Sequence, residues 1–275
     1  MTHVLSTHLT TNHRLTTVWL ERVREAGIPA VELFCAKPHI DYNDRAQISD
    51  LGHFFRDSDL QAHSLHGPLF TDDVWGRSGP HSIIVITEPD KSKRVRMVDE
   101  IKRAIEIAET VPFRYFIQHL GLPEEDYDER KLDAAFTALE ELSLFARQRG
   151  VEILLENIPN RMSTGERLAA FVEATHLNVG FCFDAGHANL GDGVESEFLR
   201  MKERIRSTHL HDNDGCSDQH LFPFLAPGGT VPWSKTMALV RAAGLPLVLE
   251  LKECPALPQP IEAARQIFQR LEEIA

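Results

Sequence analysis

The chain has 275 residues, of which 43% are hydrophobic and 25% are charged. No apolar run approaches the roughly 18 residues that a membrane-spanning helix needs, which argues against a membrane protein. The 41 acidic and 29 basic side chains give a net charge of −12, so a nucleic-acid partner is disfavoured, although a local basic rim could still bind phosphate.

The N-terminal segment and the cysteines bear on where the protein works. Residues 1–8 lack the basic segment and apolar core of a secretory signal. The four cysteines are far apart and have no paired spacing: Cys35, Cys182, Cys216 and Cys254. This pattern favours reduced thiols over a disulfide framework or a cysteine-rich zinc site. We therefore expect a cytoplasmic protein in which nitrogen and oxygen atoms hold any metal.

Strand-like and helix-like segments alternate along the first half of the chain. A short strand at 3–8 precedes a helix whose apolar residues run from Leu15 to Ala26, and a second strand and helix follow at 30–35 and 45–56. The third strand, 60–66, leads into a loop from 67 to 93, which is long enough to cover a site. A periodic helix from Val95 to Ala108 completes the third unit.

The second half continues the same alternation. Strands are predicted at 113–119, 151–156, 178–184, 206–211 and 245–250, and helices at 132–145, 165–174, 195–203, 233–243 and 261–274. Alternating strands and helices favour a parallel sheet, and eight units in a chain of this length favour a closed barrel. We therefore predict a single (β/α)8 TIM barrel domain spanning 1–275.

Polar residues stand at the ends of the predicted strands three to eight: His66, His119, Glu156, Asp184, His209 with His211, and Glu250. The C-terminal ends of the strands form the active-site face of such a barrel. One residue of this kind would fit a helix cap or a solvated loop equally well, but six successive strand ends favour a site. Carboxylates gathered there would repel one another, so a cation among them is the simplest resolution.

The stretch 205–220 holds the highest density of ligand-type residues: His209, His211, Asp212, Asp214, Asp218 and His220. If the seventh strand runs to His211, its two-residue period places His209 and His211 on one face, about 7 Å apart. His187, which follows Asp184 by three positions, adds another imidazole. These residues predict a metal or catalytic site.

Four motifs resemble those of the xylose-isomerase-like barrel superfamily: Leu154-Leu155-Glu156-Asn157, Asp184-x-x-His187, His209-x-His211-Asp212 and Glu250. The superfamily includes sugar isomerases, ketose 3-epimerases and apurinic/apyrimidinic endonucleases of the endonuclease-four type. The resemblance covers essentially the whole chain. It implies a barrel enzyme that uses one to three divalent ions, whether Mn²⁺, Mg²⁺, Co²⁺ or Zn²⁺.

Similarity to the epimerases implies a single ion and two catalytic carboxylates. The residues that match their metal ligands are Glu156, Asp184, His211 and Glu250, although the choice between His209 and His211 stays open. Glu156 and Glu250 would remove and return a proton, and substrate-binding roles fall to His187 and His66. The epimerases have an arginine six residues beyond the strand-seven histidine, where this chain has Ser217.

Similarity to the endonucleases implies three zinc ions. Their ligands have counterparts in His66, His119, Glu156, Asp184, His187, His209, Asp218, His220 and Glu250. The chain departs from their pattern at His211, where they have asparagine, and at Leu120, where they have proline.

From these observations we favour a metal-dependent isomerase or epimerase that acts by proton transfer on a small sugar, sugar phosphate or polyol-derived carbonyl compound. The alternative is a trinuclear-zinc phosphodiesterase, and a barrel that keeps its ligands without turnover is a third hypothesis. A small-molecule sugar is the expected partner, no membrane is expected, and assembly into a homo-oligomer is left open.

Two loop features can each be interpreted as structural or as functional. The glycine-containing loop 226–233 is either an ordinary turn or a source of N–H groups for an anion. Four aromatic residues in site-side loops either pack locally or line a pocket: Trp75, Phe222, Phe224 and Trp233.

Overall fold

The structure is a computed structural model that describes residues 1–72 and 79–274. Its strands are β1 (His3–Ser6), β2 (Ala30–Phe34), β3 (Gln61–His66), β4 (Tyr115–His119), β5 (Glu152–Glu156), β6 (Gly180–Asp184), β7 (Ile205–His209) and β8 (Leu247–Leu249). Its α-helices are α1 (Thr17–Glu25), α2 (Arg45–Asp57), α3 (Lys91–Ile105), α4 (Glu129–Arg147), α5 (Gly165–Thr175), α6 (Ala185–Leu190), α7 (Val194–Met201), α8 (Trp233–Ala242) and α9 (Pro260–Glu273). Among these described residues, no helix is both long and apolar enough to cross a membrane.

Eight parallel strands in the described part of the chain form one sheet, in the order β7-β6-β5-β4-β3-β2-β1-β8. The two end strands meet where Leu210, just after β7, bridges in parallel to Leu249 of β8. The Leu210 N–H also donates to the Val248 carbonyl at 2.8 Å. The sheet thus curls into a nearly closed barrel with helices around it, which confirms the predicted (β/α)8 TIM barrel.

Most residues of the strands are buried, on both faces of the sheet, as expected for a parallel sheet covered by helices. On β4, Tyr115 and Ile117 pack inside the barrel with residues of β5 and β6, whereas Phe116 packs in the main hydrophobic core. On β5, Leu154 belongs to the interior cluster and Leu155 to the main core. The same two-residue period brings Glu156, two positions after Leu154, to the inner face at the mouth of the barrel.

Differences from the sequence prediction at the mouth of the barrel bear on the site. β7 ends at His209, two residues earlier than predicted, and β8 ends at Leu249, so His211 and Glu250 follow their strands. The short helix α6 was not predicted, because six residues carry too little periodicity to indicate a helix. Its start is fixed by Asp184, whose Oδ1 accepts the His187 N–H at 2.6 Å.

Gly52 offers a test of the packing between α2 and the chain after α3. A Cβ on Gly52 would lie 2.5 Å from the Thr110 methyl carbon and 2.9 Å from the Thr110 carbonyl oxygen. Glycine to alanine within a helix normally stabilises by about 1 kcal/mol, but this crowding should make Gly52→Ala destabilising by about 1–3 kcal/mol. Urea unfolding measures the change, with exposed Ser49→Ala on the same helix as the control. A stabilised Gly52→Ala would contradict this packing.

Candidate metal centre

The mouth of the barrel gathers nearly all of the ligand-type residues that the sequence indicates. Within the described residues they form three groups, in each of which the ligand atoms lie within 4.8 Å of one another. The first group is His66, His119 and Glu156; the second is Glu156, Asp184, His209 and Glu250; the third is His187, His211, Asp218 and His220. Glu156 belongs to two groups, so the first and second adjoin.

The first group joins the ends of β3, β4 and β5. The Nε2 atoms of His66 and His119 are 3.2 Å apart, and Glu156 Oε2 lies 3.2 Å from His119 Nε2 and 3.5 Å from His66 Nε2. Ligands held tetrahedrally at about 2.0–2.1 Å from one zinc ion stand about 3.3 Å apart. The three donor atoms therefore have the spacing of ligands to a shared ion.

The second group is rich in carboxylates. His209 Nδ1 lies 3.1 Å from Glu156 Oε1, 3.4 Å from Glu250 Oε2 and 3.9 Å from Asp184 Oδ2. One imidazole with three carboxylates suits an ion that prefers oxygen ligands, such as Mn²⁺ or Mg²⁺.

The two histidines near the end of β7 approach different parts of the centre. His211 falls in the third group and reaches the second group through Asp184. The sequence left the choice between His209 and His211 open, and the structure places His209 in the group that holds both glutamates.

The third group is rich in imidazoles. Asp218 Oδ2 lies 3.1 Å from His187 Nε2 and 3.3 Å from His220 Nε2. His211 Nε2 lies 3.9 Å from Asp218 Oδ1 and 3.1 Å from Asp184 Oδ2. Asp184 thereby links the third group to the second, and the three groups form one continuous centre.

Backbone carbonyls orient three of the histidines. The Nδ1–H groups of His66, His187 and His220 donate at 2.9 Å to the carbonyls of Gly67, Asn157 and Glu250, respectively. A carbonyl can only accept a hydrogen bond, so each ring carries its proton on Nδ1 and directs Nε2 into its group. Histidine ligands of metal ions are typically oriented in this way, so the donor set fits divalent cations.

The buried carboxylates of the centre need positive charge nearby. Glu156 and Asp184 are fully buried, and like charges at this spacing disfavour one another. Burial alone would lower the pKa of His220, but its hydrogen bond to Asp218 and the charge of Glu250 raise that pKa to about 9. Burial alone would also lower the pKa of His187, but the charge of Asp184 acts in the opposite direction. The pKa of His187 therefore lies well above its usual value. The carboxylates thus favour the protonated forms of His187 and His220, and metal ions can supply the same positive charge.

Two acidic residues of the dense stretch lie outside the three groups. Asp212 Oδ1 accepts N–H groups of Thr230 and Val231 at 2.9 and 3.0 Å, and its Oδ2 accepts the Trp233 indole N–H at 2.7 Å. These N–H groups of the loop 226–233 are therefore engaged with Asp212, which supports the interpretation of the loop as a turn. Asp214 is exposed and accepts N–H groups of its own loop.

The site-side aromatic residues pack locally where they are described. Phe222 and Trp233 are 1% and 7% exposed, and Phe224 lies against Trp233 with ring centroids 5.8 Å apart. Trp75 lies outside the described residues.

Glu32 is a site residue that the sequence analysis missed. It is fully buried in β2, and its carboxylate lies 3.0–3.1 Å from His209 Nε2. A charged residue within the apolar strand Ala30–Phe34 was the available signal, because ionised side chains are rarely buried without a partner.

A cavity of about 300 Å³ is lined in part by His187 of the third group. Its lining includes Asn157, Asn160, Arg161, Ser163 and Thr164, together with Glu124 and Glu125. Cavities from about 300 Å³ upward accommodate small-molecule ligands. A cavity of about 900 Å³ lies between α1 and α2, but it is lined by other residues, within 14–24 and 47–59, away from the three groups.

Comparisons with curated proteins give partial matches. An uncharacterized protein of Methanocaldococcus jannaschii is 35% identical over 144 residues, which cover 47% of this chain and about half (49%) of that protein. A protein named probable endonuclease 4, from Natronomonas pharaonis, is 27% identical over 209 residues, which cover 68% of this chain and 74% of that protein.

Solved structures with the same fold cover the whole chain. A D-tagatose 3-epimerase-like protein superposes with a TM-score of 0.80 at 24% identity, covering 100% of this chain and 98% of its own. The zinc-bound structure named IOLI protein superposes with a TM-score of 0.77 at 19% identity, with the same coverage. At these identities the likeness establishes the fold alone.

The family described as "Xylose isomerase-like TIM barrel" matches residues 20–274. This match spans nearly the whole chain and agrees with the observed barrel, so the protein belongs to the xylose isomerase-like TIM barrel family.

Proposed function

We propose that the protein is a divalent-metal-dependent isomerase or epimerase that acts by proton transfer on a small sugar or polyol-derived carbonyl compound. The observation that carries this proposal is the position of the second group, which brings two buried glutamates together at the barrel mouth. Members of the same fold that are named epimerases agree with this proposal.

The second group would hold the ion that the reaction needs. Its ligands would be Glu156, Asp184, His209 and Glu250. A divalent ion bound there would polarise a substrate carbonyl and the neighbouring hydroxyl, which acidifies the C–H bond between them.

Glu156 and Glu250 would carry the proton. Glu156 ends β5 and Glu250 follows β8, and β6 and β7 separate these two strands around the barrel. The two carboxylates therefore approach the centre from different sides, as required to remove a proton at one face of a carbon and return it at the other. Both are at most 2% exposed.

The charges that line the cavity beside His187 bear on the class of substrate. The amide and hydroxyl groups of Asn157, Asn160 and Ser163 are already engaged in hydrogen bonds within the chain. Arg161 is outnumbered by Glu124 and Glu125 in the lining, so a multiply charged anion would meet net repulsion. We therefore favour an unphosphorylated sugar.

His187 and His66 each carried two expected roles, as metal ligands and as substrate-binding residues. Each ring donates Nδ1–H to a backbone carbonyl and directs Nε2 at other ligand atoms. We propose them as metal ligands, because neither ring nitrogen is left to contact a sugar.

A phosphodiesterase is the second candidate, and the continuity of the three groups favours it. Glu156 Oε1 faces the second group and Oε2 faces the first, as a bridging carboxylate would. Ions bound in adjacent groups would stabilise the attacking and leaving oxygens of a phosphodiester. The similarity to probable endonuclease 4 of N. pharaonis supports the same alternative.

Metal content tests the three groups without any substrate. We expect the zinc-loaded protein to bind close to three ions per chain, because each group supplies at least three suitably spaced ligands. His66→Ala should remove one ion, whereas His13→Ala, at an exposed position, should remove none. Elemental analysis of the dialysed protein gives the number. A stoichiometry near one that His66→Ala leaves unchanged would rule out a polynuclear centre.

Gly186 gives a second test that leaves all ligands in place. A Cβ on Gly186 would lie 2.1–2.6 Å from the ring atoms of His211, so Gly186→Ala should displace that ring and weaken zinc binding in the third group. His211→Asn removes the same ligand without crowding and should give a similar loss in zinc titrations. Retention of wild-type zinc affinity in both variants would remove His211 from the centre.

Isotope labelling tests the chemistry. With one equivalent of Mn²⁺, turnover of a sugar substrate in D₂O should place deuterium on the carbon next to the carbonyl. Glu156→Gln and Glu250→Gln keep the side-chain size but remove the basicity, so each should lower kcat about 10³-fold or more.

Two other results of the same assays would redirect the proposal. An active isomerase without deuterium in the product would indicate a hydride shift. Salt-sensitive cleavage of an abasic oligonucleotide, without activity on any ketose or aldose, would contradict the isomerase and favour the phosphodiesterase.

A further inference from the structure

Glu32 occupies a polar niche inside the barrel, between two serine side chains of the neighbouring strands. In the sheet it pairs with Ser6 of β1 on one side and Ser64 of β3 on the other. The Ser6 hydroxyl donates to Glu32 Oε1 at 3.0 Å and the Ser64 hydroxyl donates to Oε2 at 2.7 Å. The two serines therefore hold both carboxylate oxygens in fixed positions.

His209 reaches this niche from β7. Its Nε2 lies 3.0 Å from Oε1 and 3.1 Å from Oε2 of Glu32, while its Nδ1 faces the carboxylates of the second group. An ionised carboxylate can only accept hydrogen bonds, so it favours the form of His209 that carries a proton on Nε2. That form leaves the Nδ1 lone pair free for a metal ion.

Packing alone does not explain Glu32. A fully buried carboxylate loses its hydration, and this cost is recovered only through its hydrogen bonds. An apolar side chain of similar volume would fill the same space at lower cost, as Ile117 and Leu154 do elsewhere in the barrel interior. What such a side chain could not do is hold the ring of His209.

We propose that Glu32 is a positioning residue that fixes the ring orientation and protonation of His209 and so strengthens metal binding in the second group. The inference rests on the metal-binding part of the proposed function. A carboxylate partner makes an imidazole a more basic ligand than a backbone carbonyl does. His209 thus differs from the three histidines whose hydrogen-bond partners are backbone carbonyls, because its own partner is the Glu32 carboxylate. Those three are His66, His187 and His220.

Metal affinity is the first measurement. Glu32→Gln keeps the volume but places an NH₂ group where one carboxylate oxygen was, so it should weaken binding of one Mn²⁺ or Zn²⁺ ion by about 10–100-fold. Competition with a chelator of known affinity measures the change. Ser64→Ala, which removes one donor to Glu32 and perturbs the fold less, should weaken the same ion to a smaller extent.

A proton signal separates positioning from a merely structural role. In the zinc-loaded protein, labelled with ¹⁵N-histidine, the Nε2–H of His209 should give a downfield, exchange-protected signal that Glu32→Gln removes or shifts. The Nδ1–H of His220 is the internal control, because its acceptor is the Glu250 carbonyl, and its signal should persist in the variant.

The outcomes keep this inference distinct from the proposed function. If the wild-type protein binds metal and Glu32→Gln binds it equally well with an unchanged His209 signal, the role of Glu32 is overturned while the metal centre stands. If the wild-type protein binds no divalent ion, both proposals fall. If Glu32→Gln does not fold, Ser64→Ala decides, and unchanged affinity in that variant overturns the inference.

Discussion

The structure depends on the burial of several carboxylates beside imidazoles at one end of a barrel. Glu156, Asp184 and Glu250 are at most 2% exposed and converge on His209. Each buried carboxylate needs opposite charge or hydrogen bonds to offset its lost hydration. The histidines supply these in the structure, and metal ions would supply more. This concentration of charge, which a folded chain would otherwise avoid, is the feature from which a cation-binding function is proposed.

The barrel makes this concentration possible because its geometry is repetitive. Parallel strands end at one face, and the two-residue period decides which side chains point inward. Glu156 and Asp184 each end a strand whose preceding inward residue, Leu154 or Cys182, belongs to the interior cluster. The third group is built differently, since Asp218 and His220 come from the loop after β7. Asp212 anchors the far part of that loop through Trp233.

The sequence predicted the barrel and most of the residues at its mouth. The periods at which apolar residues recur indicate strands and helices locally. Because the ends of neighbouring strands in a barrel lie side by side, His66 and His119 could be placed together from the sequence. The partition of the ligands could not be predicted, because a strand period does not indicate which carboxylate His209 or His211 approaches. Glu32 escaped notice because its partner is 177 positions away along the chain, and strand patterns do not indicate contacts across a barrel.

The two candidate reactions differ in what they ask of Glu156. Proton transfer needs a carboxylate oxygen with a free lone pair, whereas a polynuclear phosphodiesterase needs both oxygens as ligands. In the structure Oε1 faces His209 and Oε2 faces His119, so an ion in the first group would compete directly with a proton for Oε2.

The first and second groups should prefer different metals, because the first has two imidazoles and the second has three carboxylates. An oxygen-preferring ion in the second group alone would leave Oε2 free for proton transfer. Zinc in all three groups would engage it and leave Glu250 as the remaining base. The number and identity of bound ions are thus linked to the reaction, because one carboxylate stands between two groups.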